Sequence, residues 1–188
     1  NYWLGLVAGL LAAALLGGLV ETLIIRRFTN APRLVLTVAT IGLAQLLTGA
    51  AFLLPQLFGK DFGSKLPAPF EFRQPLGSGP AATVFNAHDL LTAIVVPLAL
   101  VGLAFFLKGS TIGLAIIGAA ERPDRAAGLG IPVKRLHTVV WAVASVLAFL
   151  AMYLRAGVVG LPVGEALPVD FLVQALAAAE FGRFSRFP

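Results

Sequence analysis

The chain has 188 residues, of which 59% are apolar and 12% are charged, and its mean hydropathy is +0.92; soluble domains carry about 25% charged residues, so much of this chain needs lipid as its solvent. Its 14 Lys and Arg residues exceed its 9 Asp and Glu residues, but they lie in short clusters between apolar runs, a pattern typical of membrane topology signals and not of a nucleic-acid-binding surface. The absence of cysteine excludes disulfides, thiolate metal sites and cysteine nucleophiles.

Four apolar runs are long enough to cross a membrane. The first run, Tyr2–Ile25, has 24 residues and as a helix would be about 36 Å long, against a hydrocarbon core of about 30 Å. The other three runs are Leu34–Phe58, Leu90–Leu107 and Val139–Leu154. A fifth run, Phe171–Phe181, would reach only about 16 Å and follows Asp170 as a plausible N-cap, so we predict a half-span or re-entrant helix there. The predicted fold class is all-α, a polytopic transmembrane helix bundle with about four full spans and one half-span helix.

The first span carries small residues at intervals of four positions, namely Gly5, Gly9, Ala13 and Gly17. Residues four apart lie on the same face of an α-helix. Small side chains on one face allow a second helix to approach closely in lipid. This pattern therefore predicts that the first span packs against another helix.

The second span has a polar face, formed by Thr37, Thr40, Gln45 and Thr48. Hydroxyl and amide groups in lipid need partners, and hydrogen bonds between spans contribute about 0.6–2 kcal/mol each. Two interpretations remain open for these residues, hydrogen bonding between helices or lining of a translocation path. The same two interpretations apply to Gln174 in the fifth run.

The basic residues divide unequally between the two sides of the membrane that these spans define. One side holds ten of them, Arg26, Arg27, Arg33, Lys108, Arg122, Arg125, Lys134, Arg135, Arg183 and Arg186, and the other holds four, Lys60, Lys65, Arg73 and Arg155. An excess of Lys and Arg marks the cytoplasmic side. The segment 59–89 is then external, and its Pro, Gly and Phe content predicts an ordered loop and not a separate domain.

The cytoplasmic loop 108–137 contains signals for one short helix. Pro123 suits the first helical turn, where its missing N–H costs nothing, and Asp124 suits the positive end of the helix. The residues that can end this helix and prevent its resumption are Gly128, Gly130 and Pro132. The spacing predicts a helix of one to two turns between two spans. From the residues alone, a solvated connecting loop is the simplest interpretation.

The chain lacks the arrangements that would indicate an enzyme. Its two histidines, His88 and His137, fall on opposite sides of the predicted membrane, and no HExxH, GxSxG or GxxxxGK[ST] motif occurs. We therefore expect no cofactor and no metal, and any ATP hydrolysis must come from another subunit. The centres of the four spans hold no charge, which argues against an ion-coupled carrier. Glu180 in the fifth run is the exception, and it either faces water, lines the path or pairs with Arg183.

The cytoplasmic loop also contains a run of the form T-x-x-G-x-A followed by A-x-E-x-P-x-x-A-x-x-x-G-I. The residues assigned to it are Thr111, Gly113, Ala120, Glu121, Pro123, Ala126, Gly130 and Ile131, of which Gly113 and Ala120 are offset by one position from the pattern as written. This run resembles the cytoplasmic loop of bacterial ABC-transporter permeases of the branched-chain amino acid type. Four further segments are similar to that family in the same order, namely Glu21–Phe28 (the family's E-x-x-x-x-R-P-L), Leu34–Leu47, Leu154–Gly164 and Val173–Phe184. The chain departs from the family at Ile116 and Ile117, where a basic residue is usual, and at Ala179–Arg183, where the family more often reads A-V-I-G-R.

The resemblance implies that the short cytoplasmic helix is a coupling helix, which rests in a groove of an ABC ATPase subunit. Its residues would be Ala120, Glu121, Pro123, Asp124, Ala126, Gly128, Gly130 and Ile131. The implied partners are two ABC ATPase subunits, a second permease subunit, an extracytoplasmic substrate-binding protein and the lipid bilayer of the bacterial cytoplasmic membrane, with no nucleic acid. The implied function is import of branched-chain amino acids or related small amides. Because the family's permease domain has more spans, we expect residues 1–188 to be an internal fragment of a single transmembrane permease domain.

Three alternatives stay open at this point. A sugar-type ABC permease would share the architecture, although such loops tend to read G-x-N where this chain has Glu121, Arg122 and Pro123. An ion-coupled secondary carrier is the second alternative. A purely structural membrane subunit is the third, and association with ATPase subunits would separate the ABC permease from the latter two.

Overall fold

The computed structural model describes residues 2–28, 31–57, 66, 70, 72–76, 83–160 and 169–184. Within these ranges the chain forms seven α-helices, one 3₁₀ helix and two paired strands. The α-helices are α1 (Tyr2–Leu23), α2 (Arg33–Leu57), α3 (Ala87–Gly109), α4 (Thr111–Glu121), α5 (Pro123–Gly128), α6 (Val133–Val158) and α7 (Val169–Phe184). The 3₁₀ helix, Ile25–Phe28, follows α1, and the strands β1 (Arg73–Leu76) and β2 (Thr83–Asn86) precede α3.

Helices α1, α2, α3 and α6 are long enough and apolar enough to cross a membrane. They coincide with the four predicted spans, but α6 begins at Val133 and not at Val139. Hydropathy marks only the lipid-embedded part of a helix, whereas backbone hydrogen bonds continue into the polar boundary through residues such as Lys134 and Arg135. Helix α7 has 16 residues, which makes it longer than predicted but still shorter than the four spans. The predicted all-α polytopic transmembrane bundle is confirmed.

Large apolar side chains are exposed along the spanning helices. Leu34 in α2 is 81% exposed, Phe105 in α3 is 78% exposed and Leu15 in α1 is 68% exposed. An apolar surface of this extent would drive aggregation in water. In a bilayer the same side chains are solvated by lipid tails or covered by further helices.

The main packing contact within the described residues is an antiparallel pair formed by α1 and α6. At one end of the pair, the Tyr153 hydroxyl donates to the backbone oxygen of Tyr2 over 3.3 Å. At the other end, Arg26 reaches the backbone oxygen of Lys134 over 3.3 Å. The two helices therefore cross the membrane in opposite directions side by side, as the alternation of the predicted spans requires.

Glycines on α1 set the distance between these two helices. A Cβ atom built on Gly9 would overlap the ring of Phe149, and one built on Gly17 would overlap the side chain of Ser145 and the backbone of Trp141. A Cβ atom on Gly5 would meet no described atom within 4 Å. Two of the predicted small-residue positions thus lie directly against α6, and their missing side chains allow the close approach.

We expect Gly9→Leu to lower the thermal stability and the yield of the full-length permease. A leucine at this position must displace the Phe149 ring or separate the helices, and overpacking of this kind typically costs about 1–3 kcal/mol. The matched control is Gly5→Leu, the same substitution one turn away on a position with open space. Fluorescence-detected size exclusion after a temperature series measures both variants. Equal losses in the two variants would contradict the proposed role of Gly9.

An aromatic cluster lies where the N-terminus of α1, the C-terminal part of α6 and the start of α3 meet. The His88 ring packs against Gly157 and is 8% exposed, and its centroid lies 6.2 Å from that of Tyr2. The ring of Tyr153 lies 5.3 Å from that of Tyr2. The α3 N-terminus is fixed by a capping box, in which the backbone N–H of Asn86 donates to the carboxylate of Asp89 over 2.9 Å. These contacts hold the start of α3 against the end of α6.

The predicted external loop 59–89 contains a short antiparallel hairpin. Strand β1 pairs with β2 in a register that places Arg73 opposite Asn86 and Leu76 opposite Thr83. Because β2 ends directly before α3, the hairpin is anchored at the N-terminal end of the third span. Most of the remaining loop lies outside the described residues.

Candidate functional site

The loop 108–137, which the sequence predicts to be cytoplasmic, is folded into two helices, α4 and α5, where the sequence predicted one. A tight elbow joins α3 to α4 at Ser110. The Ser110 hydroxyl accepts a hydrogen bond from the Gly113 N–H over 2.9 Å and donates to the Phe106 carbonyl over 2.7 Å. A Cβ atom on Gly113 would overlap the carbonyl oxygens of Phe106 and Leu107, so only glycine fits this turn of α4. The elbow fixes the direction in which α4 leaves the third span.

Helix α5 is a single short helix that begins and ends at the predicted residues. Pro123 occupies its first position, and the helix ends at Gly128. Two hydrogen bonds close its C-terminus, from the Ile131 N–H to the Ala126 carbonyl over 3.1 Å and from the Gly130 N–H to the Ala127 carbonyl over 3.0 Å. Gly130 has φ of 79°. This is a Schellman motif, which requires the left-handed backbone that glycine adopts without strain.

The structure divides the predicted coupling residues between these elements. Ala120 and Glu121 end α4, Pro123, Asp124, Ala126 and Gly128 belong to α5, and Gly130 and Ile131 form the turn before α6. Ala126 is 5% exposed and faces inward, and Leu136 in the first turns of α6 is 7% exposed. The side chains of Pro123 and Asp124 lie outside the described ones.

One face of α5 is open to a partner. Arg125 and Gly128 are exposed, Leu129 is 81% exposed, and a Cβ atom on Gly128 would meet no described atom within 4 Å. Ala126 lies on the opposite face of α5 and is buried. The open face of α5 therefore carries an exposed cation and an exposed leucine beside a glycine.

A buried polar cluster, which the sequence did not predict, joins the C-terminal end of α1 to the N-terminal part of α6. The Glu21 side chain is 3% exposed, and its Oε2 atom lies 3.5 Å from Nη2 of Arg26. The Thr138 hydroxyl donates to the same carboxylate oxygen over 2.6 Å. The Arg26 Nη2 atom also donates to the Thr138 hydroxyl over 3.2 Å and to the Lys134 carbonyl over 3.3 Å.

This cluster explains the spacing of acidic and basic residues at the end of the first span. A carboxylate buried beside lipid costs several kcal/mol unless it is paired and hydrogen-bonded. The 3₁₀ helix after α1 turns the chain so that Arg26 can reach back to Glu21, five positions earlier. The signal in the sequence was the E-x-x-x-x-R spacing, but it does not reveal that Thr138 completes the cluster.

Among the described contacts, the hydroxyls of two predicted path residues on α2, Thr40 and Thr48, bond within that helix. The Thr40 hydroxyl donates to the Thr37 carbonyl, and the Thr48 hydroxyl donates to the Ala44 carbonyl, both over 2.8 Å. Gln45 is exposed on the same helix. Both hydroxyls donate to backbone carbonyls of their own helix, so hydrogen bonding between helices and lining of a path both remain predictions for this polar face.

Helix α7 carries the remaining candidates. Gln174 and Glu180 are exposed. The side chain of Arg183 lies outside the described ones, so pairing with Glu180 stays a prediction. The residues that the structure describes contain no group of three or more His, Asp or Glu side chains that could hold a metal ion.

Four helices that are long and apolar enough to cross a membrane define a multi-pass membrane protein. The chain belongs to the family described as "Branched-chain amino acid transport system / permease component", whose model matches residues 1–184. The predicted family is thus confirmed, and its members are transport components. A search of curated proteins and a search of solved structures each returned no match.

Proposed function

We propose that this chain is the membrane-spanning permease subunit of an ABC importer in the bacterial cytoplasmic membrane. It would translocate branched-chain amino acids or related small amides that an extracytoplasmic substrate-binding protein delivers. A second permease subunit would complete the path, and separate ABC ATPase subunits would hydrolyse ATP. The permease itself would perform no covalent chemistry.

The observation that carries this proposal is the α4–α5 unit in the cytoplasmic loop 108–137. The Ser110 elbow fixes one end of it, and the Schellman motif at Gly130 fixes the other. A coupling element must move as one body, because a connection that bends would absorb the displacement of the ATPase. The short α5 helix, with Ala126 buried and Gly128 open, has the rigidity and the bare surface that this task needs.

The polar cluster gives a route from this unit to the first span. Ile131 and Pro132 lead directly into α6, and Thr138 on the early part of α6 is bonded to Glu21 of α1. A displacement of α5 would therefore move the start of α6 and, through the cluster, the end of α1. Movement of this antiparallel pair would alternate access to the path.

The absence of charge from the centres of the four spanning helices supports an uncharged or apolar side chain as the transported group. A fixed charge at membrane depth is typical of ion-coupled carriers. Polar groups on α2, namely Thr37, Thr40, Gln45 and Thr48, and Gln174 on α7 are the candidates for contacts with the polar end of the substrate.

The test is purification of the full-length permease from native membranes, followed by reconstitution of the recovered complex. We expect ABC ATPase subunits to co-purify and ATP hydrolysis to rise when leucine-loaded binding protein is added. Stimulation by a sugar-loaded binding protein would favour the sugar-type alternative. Uptake driven by an ion gradient without ATP would favour a secondary carrier and overturn the proposal.

A further inference from the structure

The two ends of α3 differ in how closely they are packed. The buried residues of α3, which all lie in its first two turns, are Ala87, His88 and Leu91. The His88 ring lies against Gly157 of α6, and the capping box fixes the first turn. From Thr92 to Gly109, no residue of α3 is buried. Helix α3 is therefore anchored on α6 at its N-terminus, while its longer C-terminal part is not enclosed by the described residues.

Pro97 interrupts the hydrogen bonding of α3 near the middle of the helix. Its nitrogen carries no hydrogen, so it cannot donate to the carbonyl of Ala93, and its ring crowds that carbonyl. The flanking side chains of Val96 and Leu98 are 43% and 68% exposed, so no tight packing braces the helix at this point. Sharp bends in long helices occur mainly at proline. The stretch around Pro97 is therefore the weakest part of α3.

Helix α6 has no comparable weak point. It contains no proline, and its one glycine, Gly157, is next to its last residue. It is held against α1 by the close approach at Gly9 and Gly17 and by the polar cluster. The two helices therefore form one body. Since the α4–α5 unit joins the C-terminus of α3 to the N-terminus of α6, a shift of α4 relative to this pair is taken up within α3, whose first turns are fixed to α6.

We infer that α3 bends at Pro97, so that its C-terminal half moves with α4 while its first turns stay on α6. The Ser110 elbow transmits this motion, because its two hydrogen bonds join the last turn of α3 to the first turn of α4. A tilt of the whole of α3 would instead pull the buried His88 ring away from Gly157. A hinge needs only a few positions at which the backbone can change. The link between this bend and transport rests on the proposed function, whereas the bend itself does not.

The test is a distance measurement by pulsed electron paramagnetic resonance on the full-length permease, with nitroxide labels on pairs of introduced cysteines. One pair joins Ala93, before the proline, to Ala144 of α6, and the other joins Lys108, after the proline, to Ala144; all three positions are exposed. Lys108 lies about 16 Å along the helix from Pro97, so a bend of about 10° would move it by about 3 Å. In the permease alone, the Lys108 pair should give the broader distance distribution. Bound ATPase subunits with ATP should shift the Lys108 pair and leave the Ala93 pair unchanged.

The variant Pro97→Ala restores the backbone N–H, so the distribution of its Lys108 pair should narrow to the width of the Ala93 pair. The matched control is Leu98→Ala, which shortens an exposed neighbouring side chain without restoring the N–H, and its Lys108 pair should stay broad. Equal shifts in the two pairs would show a tilt of the whole helix and overturn the inference, as would a Lys108 distribution that Pro97→Ala leaves unchanged. If no ATPase subunit binds, the proposed function fails, and the distribution widths in the permease alone still decide whether α3 bends at Pro97.

Discussion

Replacing Gly128 with Trp should abolish substrate uptake and substrate-stimulated ATP hydrolysis by the reconstituted transporter. Gly128 is the last residue of α5 and is exposed, and a side chain added there meets no atom of the described chain within 4 Å. The permease should therefore fold and insert normally with an indole at this position. In a groove of an ATPase subunit the same indole would prevent the close contact through which motion passes. The measurement is ATP turnover with and without loaded binding protein.

The matched control for this prediction is Gly128→Ala. A single methyl group in open space should leave coupling near the wild-type level, and replacing glycine at a compatible backbone position can stabilise the fold by about 0.4–1 kcal/mol. The φ angle of Gly128 is not positive, so alanine is not strained there. Wild-type stimulation in Gly128→Trp would return α5 to the interpretation of a solvated connecting loop. Failure of both variants would point to a need for the glycine backbone and not to docking.

Removing Arg26 should destabilise the permease more than removing its partner Glu21. In Arg26→Gln a carboxylate that is 3% exposed loses its counter-charge, and loss of one partner from a buried pair costs about 3 kcal/mol or more. In Glu21→Gln the remaining guanidinium is 39% exposed and can reach water, so we expect a loss of about 1 kcal/mol. Thermal unfolding of the purified full-length permease in detergent gives the order of the variants.

The double variant Glu21→Gln/Arg26→Gln distinguishes loss of the charge pair from loss of packing. If the cost in Arg26→Gln comes from an unpaired buried carboxylate, neutralising Glu21 in the same chain should restore part of the stability. Arg27→Gln, an exposed neighbour, is the control and should change the unfolding temperature little. A double variant that is less stable than Arg26→Gln would show that Arg26 acts mainly through its bonds to Thr138 and Lys134.

The loop 108–137 shows which features of a structure local sequence signals can predict. The proline at the start of α5 and the glycines near its end act through their own backbone geometry, and the structure has Pro123 and Gly130 in the predicted roles. The second helix, α4, was not predicted, because its apolar run of 11 residues is too short to mark a span, and the N-cap signal of Ser110 was not used. As a result Glu121, which was assigned to the coupling helix, is the last residue of α4.

The sequence by itself determined the membrane class and the number of long spans, because lipid imposes a length and a hydropathy on each span regardless of its neighbours. It also indicated the permease family, through the loop motif and the order of the other similar segments. Only the tertiary structure decided which helices meet. The small residues of α1 indicated that a helix would pack there, but only the placement of Phe149 and Ser145 identified it as α6. In the same way, the carboxylate of Glu21 was visible as a charge at the end of a span, while its burial depends on Thr138, which is 117 positions away in the chain. Contacts between residues so far apart depend on how the helices pack, and the periodicity of a single segment carries no information about them.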